Sequence, residues 1–448
     1  MKKKLQAVRA AFMGMMCLSV AGEAGQAEVQ GFTRREDPVV VRGADLAPLA
    51  GRPTQALRLL SVRQGQLVPV PFQIDTFDAG RRPILNRVRE RENRPWQVNP
   101  ALALHPALEA ADELVLLAGD LGPRADTAQL PTRFAVEIAA TDTNTGASAY
   151  TYLLELGTNA PFASNDYISY DPERRRVQSR ELSHGCGDPK HPAVLDYLSI
   201  GDSSNLIRRL QTRLRVSTFF GCINMNRDED DIEARVLSYT DGPVRILLRQ
   251  DSRVSSVFWM QSDWVERLIV SYPTRIEVPT HIKIPFRPGL LLSGARAAMV
   301  LGFNAAASNL VVQHPAVNAP IPLSVGAPVV ERGVDLSVYP KCWVWGPYGG
   351  LMVMFREDPR FTQTRLSRTF VCRPASNGAA TERRNPTVEM LMTGIENIQP
   401  GEYDFPLILS GRRNLRPGGE LELEQIDTAP LRVSATVIRR EADSSVKP

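Results

Sequence analysis

The segment Cys342-Trp343-Val344-Trp345-Gly346-Pro347-Tyr348-Gly349-Gly350 sets two indoles two residues apart, followed by a glycine-rich turn carrying a phenol. On a strand, residues i and i+2 share a face. Flat apolar rings with a polar edge are the groups that stack on sugar rings. Trp343, Trp345 and Tyr348 are therefore the expected stacking residues of a glycan site, with Arg245 as a polar clamp. The competing expectation is a buried aromatic pair in a core. Trp259 and Trp264 are weaker instances of the same pattern.

Acids form a second candidate. Asp75 and Asp78 follow Val70-Pro71-Phe72-Gln73-Ile74, and Asp112, Glu113 and Asp120 bracket the apolar run Leu114 to Ala118. If these strands are neighbours, their ends could gather carboxylates around calcium, the one cofactor the sequence allows; otherwise they are turn and strand-end acids. Asp142-Thr143-Asn144-Thr145-Gly146 starts like a calcium loop but lacks the later bidentate glutamate, so a hairpin turn is expected there. His184-Gly185-Cys186 with His191 offers two imidazoles and a thiol, but a disulfide at Cys186 would remove the sulfur ligand, and no metal site is assigned. No nucleophile elbow, phosphate-binding glycine loop, zinc-protease motif or dinucleotide fingerprint occurs, so the commonest hydrolase, kinase and dehydrogenase readings lose their support.

The elements that must position these residues are strands. Period-two alternation runs through Thr274 to Phe286, through Leu210, Leu214, Val216 and Phe220, through Phe134, Val136 and Ile138, through Tyr150 to Leu156, and through Leu431, Val433, Ala435 and Val437. Phe134–Ala139 and Ala149–Leu156 flank turn residues and read as a hairpin. Short helices are expected at Pro192–Ile200 and Thr387–Ile398, and an exposed loop at Arg81–Asn99. The expected fold is mainly β, an N-terminal β-sandwich domain followed by a larger two-sheet, supersandwich-like domain with few short helices.

The chain begins as an exported protein would. Lys2, Lys3, Lys4 and Arg9 precede the apolar run Ala10 to Ala21, and Gly25 and Ala27 bracket Gln26, the layout of a signal peptide cleaved after Ala27. The division expected is 1–27 signal peptide, 28–160 first domain and 161–448 second domain, with a boundary between Gly157 and Ser169. The apolar run is short of the roughly 20 residues of a spanning helix, and no later segment reaches that length. Removing residues 1–27 takes away four basic residues and Glu23 from a chain of formal net charge +4, which leaves little bulk charge to attract nucleic acid. Cys186, Cys222, Cys342 and Cys372 then remain, read as two disulfides, Cys186 with Cys222 and Cys342 with Cys372, in a periplasmic or extracellular setting.

Two stretches carry a resemblance. Val68-Pro69-Val70-Pro71-Phe72-Gln73-Ile74-Asp75, with Asp112-Glu113-Leu114-Val115 and Ala118-Gly119-Asp120, resembles exported bacterial β proteins of unassigned function, over about the first third. Asp241-Gly242-Pro243-Val244-Arg245, leading into alternating strands, is similar to the central part of galactose-mutarotase-like supersandwich proteins. That second resemblance implies a carbohydrate ligand. The function expected is a non-catalytic module binding a glycan or another envelope component. The alternatives are a polysaccharide lyase or sugar epimerase with His281, Arg245 and Tyr239 in one cleft, and a structural or assembly partner at the cell surface.

Overall fold

The computed structural model describes residues 32–439 apart from 133, 193, 219–222, 228–230, 255–263, 280, 285–286, 291, 305–308, 364–365 and 377–384. The expected signal peptide, Cys222 and Trp259 lie outside the described residues, as does the His281 side chain.

The architecture is mainly β, as its alternation predicts. Two sheets enclose the first core. One is three-stranded, ordered Pro38–Arg42, Glu113–Leu117, Gln73–Asp75; the other is five-stranded, ordered Gln66–Pro69, Leu57–Arg63, Ser148–Glu155, Phe134–Thr141, Arg432–Arg439. Val39, Val41, Leu114 and Leu116 from the first sheet meet Leu57, Leu59, Val136, Ile138 and Leu153 from the second. The predicted hairpin is present, Phe134–Thr141 against Ser148–Glu155, with Gly146 at φ 74° in its turn. The sheet is completed by Arg432–Arg439, almost 300 residues further along the chain, running antiparallel to Phe134–Thr141.

The run Leu114 to Leu117 is apolar at every position because its sheet is covered on both faces. Leu114 and Leu116 point into the first core, whereas Val115 and Leu117 pack with Val244 and Tyr272 of the larger body.

That body has an eleven-stranded sheet, running from Ile321–Pro322 at one edge through Lys341–Gly346, Gly349–Phe355, Leu407–Arg413, Arg275–Val278, Val265–Tyr272, Ile246–Val254 and Ile232–Asp241. A six-stranded sheet including Ile207–Thr218, Leu292–Phe303, Thr387–Thr393 and Ser367–Arg373, and a four-stranded one from Ile168–Asp171 to Tyr197–Ile200, contribute to the same core. Val344, Val353 and Leu409 there meet Leu301, Phe370 and Met390.

Four local expectations are corrected. The single strand Thr274–Phe286 is two, Arg275–Val278 in the large sheet and His281–Ile284 paired with Gly401–Asp404, with Pro279, which has no N–H to give a ladder, between them. The helix expected at Thr387–Ile398 is a strand, Thr387–Thr393, in which Val388 and Met390 are buried on either side of Glu389; Gly394, at φ 85°, ends it. The helix expected at Pro192–Ile200 gives way to the strand Tyr197–Ile200. Within Arg81–Asn99, Arg87–Val88 and Gln97–Val98 extend the edge of the large sheet, and Trp96 packs edge-on to Tyr239. An α-helix that alternation does not announce, Glu420–Thr428, lies over the face opposite the main core.

The disulfide expectation is also corrected. Cys186, Cys342 and Cys372 are free and buried; Cys342 and Cys372 share one core without a bond between them.

Candidate functional site

The residues singled out from the sequence are distributed among three places. Trp343 and Trp345 stack with ring centroids 5.0 Å apart and planes 11° from parallel. They share a strand face, as their spacing predicts, but that face is covered. The helix Glu420–Thr428 lies over it, bringing Leu423 onto Met352, Met354 and the two indoles. The Trp343 Nε1–H donates to Glu424 Oε1 at 3.0 Å, Lys341 pairs with Glu424 at 2.6 Å, and Arg275 grips Asp427 through two bonds of 2.5 and 2.8 Å. Trp343 and Trp345 are only 3% and 7% exposed; Tyr348, in the hairpin turn, is 40% exposed.

Arg245 is 4% exposed and lies within the protein. Its Nε donates to Asp75 Oδ2 at 2.7 Å, its Nη2 to Glu113 Oε2 at 2.7 Å and its Nη1 to the Tyr272 hydroxyl at 3.2 Å. Gln73 completes the arrangement. Its Nε2 donates to both Asp75 oxygens at 2.9 Å, and its Oε1 accepts the backbone N–H of Val244 and of Arg245 at 3.1 and 2.8 Å. A Cβ at Gly242 would lie 2.4 Å from Gln73 Oε1, so a larger residue there would push Gln73 out of this arrangement. Burial alone would lower the Arg245 pKa, but Asp75, Tyr272 and Glu113 outweigh it and hold the guanidinium charged. The stretches that carry the two resemblances thus meet as one interlock between the sandwich and the larger body.

Of the acids considered for calcium, Asp75 and Glu113 lie opposite each other on neighbouring strands but share the Arg245 guanidinium, and the others bond elsewhere. Asp75 belongs to Arg245, Asp112 accepts the N–H groups of Phe77 and Glu109, and Asp78 accepts that of Arg82. Asp142 accepts from Asn144 and Thr145 in the hairpin turn. His184 bonds Ser271 through Nε2 at 2.9 Å. Among the described residues, no three histidine, cysteine, aspartate or glutamate side chains gather as a metal would need.

Asp120 has a different setting. It ends the turn that follows the doubly covered strand Glu113–Leu117 and lines a cavity of about 600 Å³ at the seam between the sandwich and the larger body. Glu36 and Arg35 line this cavity from the segment before Pro38–Arg42, Tyr167 from just before the strand Ile168–Asp171, and Gln178 to Glu181 from a hairpin of the four-stranded sheet. The Tyr167 hydroxyl donates to Asp120 Oδ1 at 2.8 Å, while the Tyr167 backbone N–H is anchored on Pro243 O. Asp120 is 5% exposed, and its Oδ2 has no hydrogen-bond partner among the described residues. Burial pushes the Asp120 carboxyl up to about 6 against the opposing pull of Tyr167, Arg63 and Arg35. Burial raises Glu36 as well, with Arg412 opposing. The cavity thus combines two carboxyls that burial makes harder to ionise with guanidinium, phenol, amide and hydroxyl groups. The sequence marks Asp120 as a calcium candidate and as part of the Ala118-Gly119-Asp120 stretch of the first resemblance; neither Tyr167 nor Glu36 carries a local signal that would have found it.

A second cavity, of about 820 Å³, is lined by Arg87, His105, Tyr239 and Asp241 among others. Tyr239 therefore lines a cavity that Arg245 does not, and the cleft expected to join Tyr239, Arg245 and His281 is not assembled from the side chains described.

No family model matches the chain, and no curated protein matches it. Among solved structures, it is similar to an alpha-mannosidase from Enterococcus faecalis V583, with 10% identity, a TM-score of 0.47 and coverage of 92% of this chain and 45% of that one. It is likewise similar to a protein in the glycosyl hydrolase family 38 from Enterococcus faecalis, with 10% identity, a TM-score of 0.48 and coverage of 91% and 46%. The chain spans less than half the length of either structure. What fold and site define together is a mainly β, sandwich-type protein with a cavity of mixed polar and apolar lining at the seam between the sandwich and the larger body. No helix among the described residues is long and apolar enough to cross a membrane.

Proposed function

We propose that this chain is an exported binding protein that takes a hydroxyl-rich glycan of the cell envelope in the Asp120–Tyr167 cavity. One observation carries the reading: Asp120, nearly buried and with one carboxyl oxygen unpartnered among the described residues, lines a cavity whose other lining residues bring both donors and acceptors. Small-ligand sites are concave and use a few convergent polar groups to fix orientation. Sugar hydroxyls donate and accept at once, and Glu36, Arg35, Gln178 and Tyr167 supply both kinds of partner. The stacking role proposed for the tryptophans passes to the cavity, because the indoles are covered by a helix.

Export rests on the layout of residues 1–27, and N-terminal sequencing of the protein recovered from the periplasm or medium tests it. For the glycan, thermal-shift measurements with a panel of neutral and uronic polysaccharides should show a rise in melting temperature that Asp120→Asn and Tyr167→Phe both reduce. No rise with any glycan, or a rise indifferent to both substitutions, overturns the reading.

A catalytic alternative draws on one further observation, the two proton-holding carboxyls Glu36 and Asp120 in a single cavity. Paired carboxyls flanking the scissile bond are the machinery of glycoside chemistry. New reducing ends, or the ultraviolet absorbance of an unsaturated product, would favour this alternative over binding alone.

A further inference from the structure

We infer that the ligand of the Asp120–Tyr167 cavity carries a protonated amine, so that within the glycan reading on which this inference rests the ligand is an amino sugar with a free ammonium group. The lining holds four carboxyls, Glu36, Asp120, Asp166 and Glu181, against the guanidiniums of Arg35 and Arg180. Two of the acids are already engaged. Glu181 is held by Arg413 through its backbone N–H and its Nε, at 3.0 and 3.1 Å, and Asp166 caps the N–H of Ile168 at 3.3 Å.

Asp166 is exposed and likewise shows no close cation among the described residues, so Asp120 and Glu36 are the acids that are withdrawn from water and short of a cation. Arg63 lies 3.9 Å from Asp120 Oδ1 but directs its N–H groups at the carbonyls of Leu121 and Gly119, 2.8 and 3.0 Å away. Asp120 Oδ1 accepts from Tyr167, and Oδ2 is buried and unpartnered among the described residues. The charged groups acting on Glu36 are Arg412, Glu181, Arg35 and Asp37, and those acting on Asp120 are Arg63 and Arg35 beside the Tyr167 phenol. Arg412 is itself paired with Glu422. A sugar hydroxyl would bring one donor and no charge. An ammonium brings three donors and the charge that ionised Asp120 and Glu36 lack.

The proton balance follows. Both carboxyls hold protons in the cavity more tightly than in water, and a bound cation favours their ionised forms, so binding releases protons and tightens as pH rises through the Asp120 value.

Calorimetric titration of the purified chain with short glucosamine oligosaccharides, their N-acetylated counterparts and spermidine tests this at about pH 5 and about pH 6.5. The free-amine sugar should bind about tenfold or more tighter than the acetylated one, should tighten severalfold toward the higher pH with proton release, and should lose that pH dependence in Asp120→Asn. The wild-type comparison of amine with acetamide stands even if the variant folds poorly. Equal binding of the two sugars, or binding confined to another glycan, overturns the amine and leaves the glycan reading. Spermidine binding as tightly as the amino sugar supports the amine and overturns the glycan. No response to any glycan or amine overturns both.

Discussion

The Arg245 guanidinium lies 2.7 Å from the Asp75 carboxylate although the two are 170 residues apart, and both side chains are almost fully withdrawn from water. Glu113, Tyr272 and Gln73 satisfy the remaining hydrogen-bonding groups, so the pair fastens the sandwich to the larger body instead of facing a ligand. Removing one partner of such a pair leaves a buried charge uncompensated. Arg245→Met should therefore destabilise the protein by about 3–5 kcal/mol. Denaturant midpoints of the variant and the parent check this; a change below about 1 kcal/mol would show that the interlock contributes little to stability.

Acidity should act in the opposite sense to ordinary acid denaturation at Asp120. Burial, opposed by Tyr167 and Arg63, pushes its carboxyl up to about 6 from the ordinary 3.8, and burial opposed by Arg34 does the same for Asp37. Their folded values lie above the unfolded ones, so the stability they favour is fully present below about pH 4 and is lost as pH rises through about 6. A shift of that size corresponds to about 3 kcal/mol for Asp120. Asp120→Asn should flatten the dependence of the urea midpoint on pH between about 4 and 7, with the residual slope belonging to Asp37 and Glu36.

The indole pair predicts a split between stability and binding. Trp345→Ala should cost about 3–5 kcal/mol by opening a cavity beneath the helix Glu420–Thr428, whereas Tyr348→Ala, in the exposed turn, should change stability by about 0.5 kcal/mol or less. Trp345→Phe, which keeps most of the packing, should leave any glycan-induced rise in melting temperature intact. A selective loss of that rise would return the tryptophans to the binding surface.

The strand Arg432–Arg439 predicts a long-range dependence. It pairs along its whole length with Phe134–Thr141, and Leu431, Val433 and Ala435 pack on the first core. Truncation after Thr428 should uncover that sheet edge and those apolar contacts, giving a protein that aggregates or melts at lower temperature. Light scattering and calorimetry on the truncated chain check this, and addition of a peptide spanning 430–439 should partly restore the parent behaviour.

The sequence by itself determined that the strongly alternating segments would be extended and where several would turn, but not that Thr387–Thr393 and Tyr197–Ile200 are strands. Alternation between buried and wet positions is local, so the hairpin around Asp142 to Gly146 and the strand near Val433 are legible without knowing their surroundings. The run Leu114 to Leu117 reads as a strand, but the structure was needed to show that both its faces are covered. Only the tertiary structure decided what covers each face and which distant strand completes each sheet. Trp343 and Trp345 share a face by spacing alone, but whether that face meets sugar or protein depended on a helix some 80 residues downstream, clamped by Arg275 and Lys341. Arg245 could equally have faced solvent until Gln73, Asp75 and Glu113 were brought against it. Asp120, Tyr167 and Glu36 became one site because cavities form between elements, and neither the burial that raises a carboxyl nor the partner that an oxygen lacks is encoded in the spacing of residues along the chain.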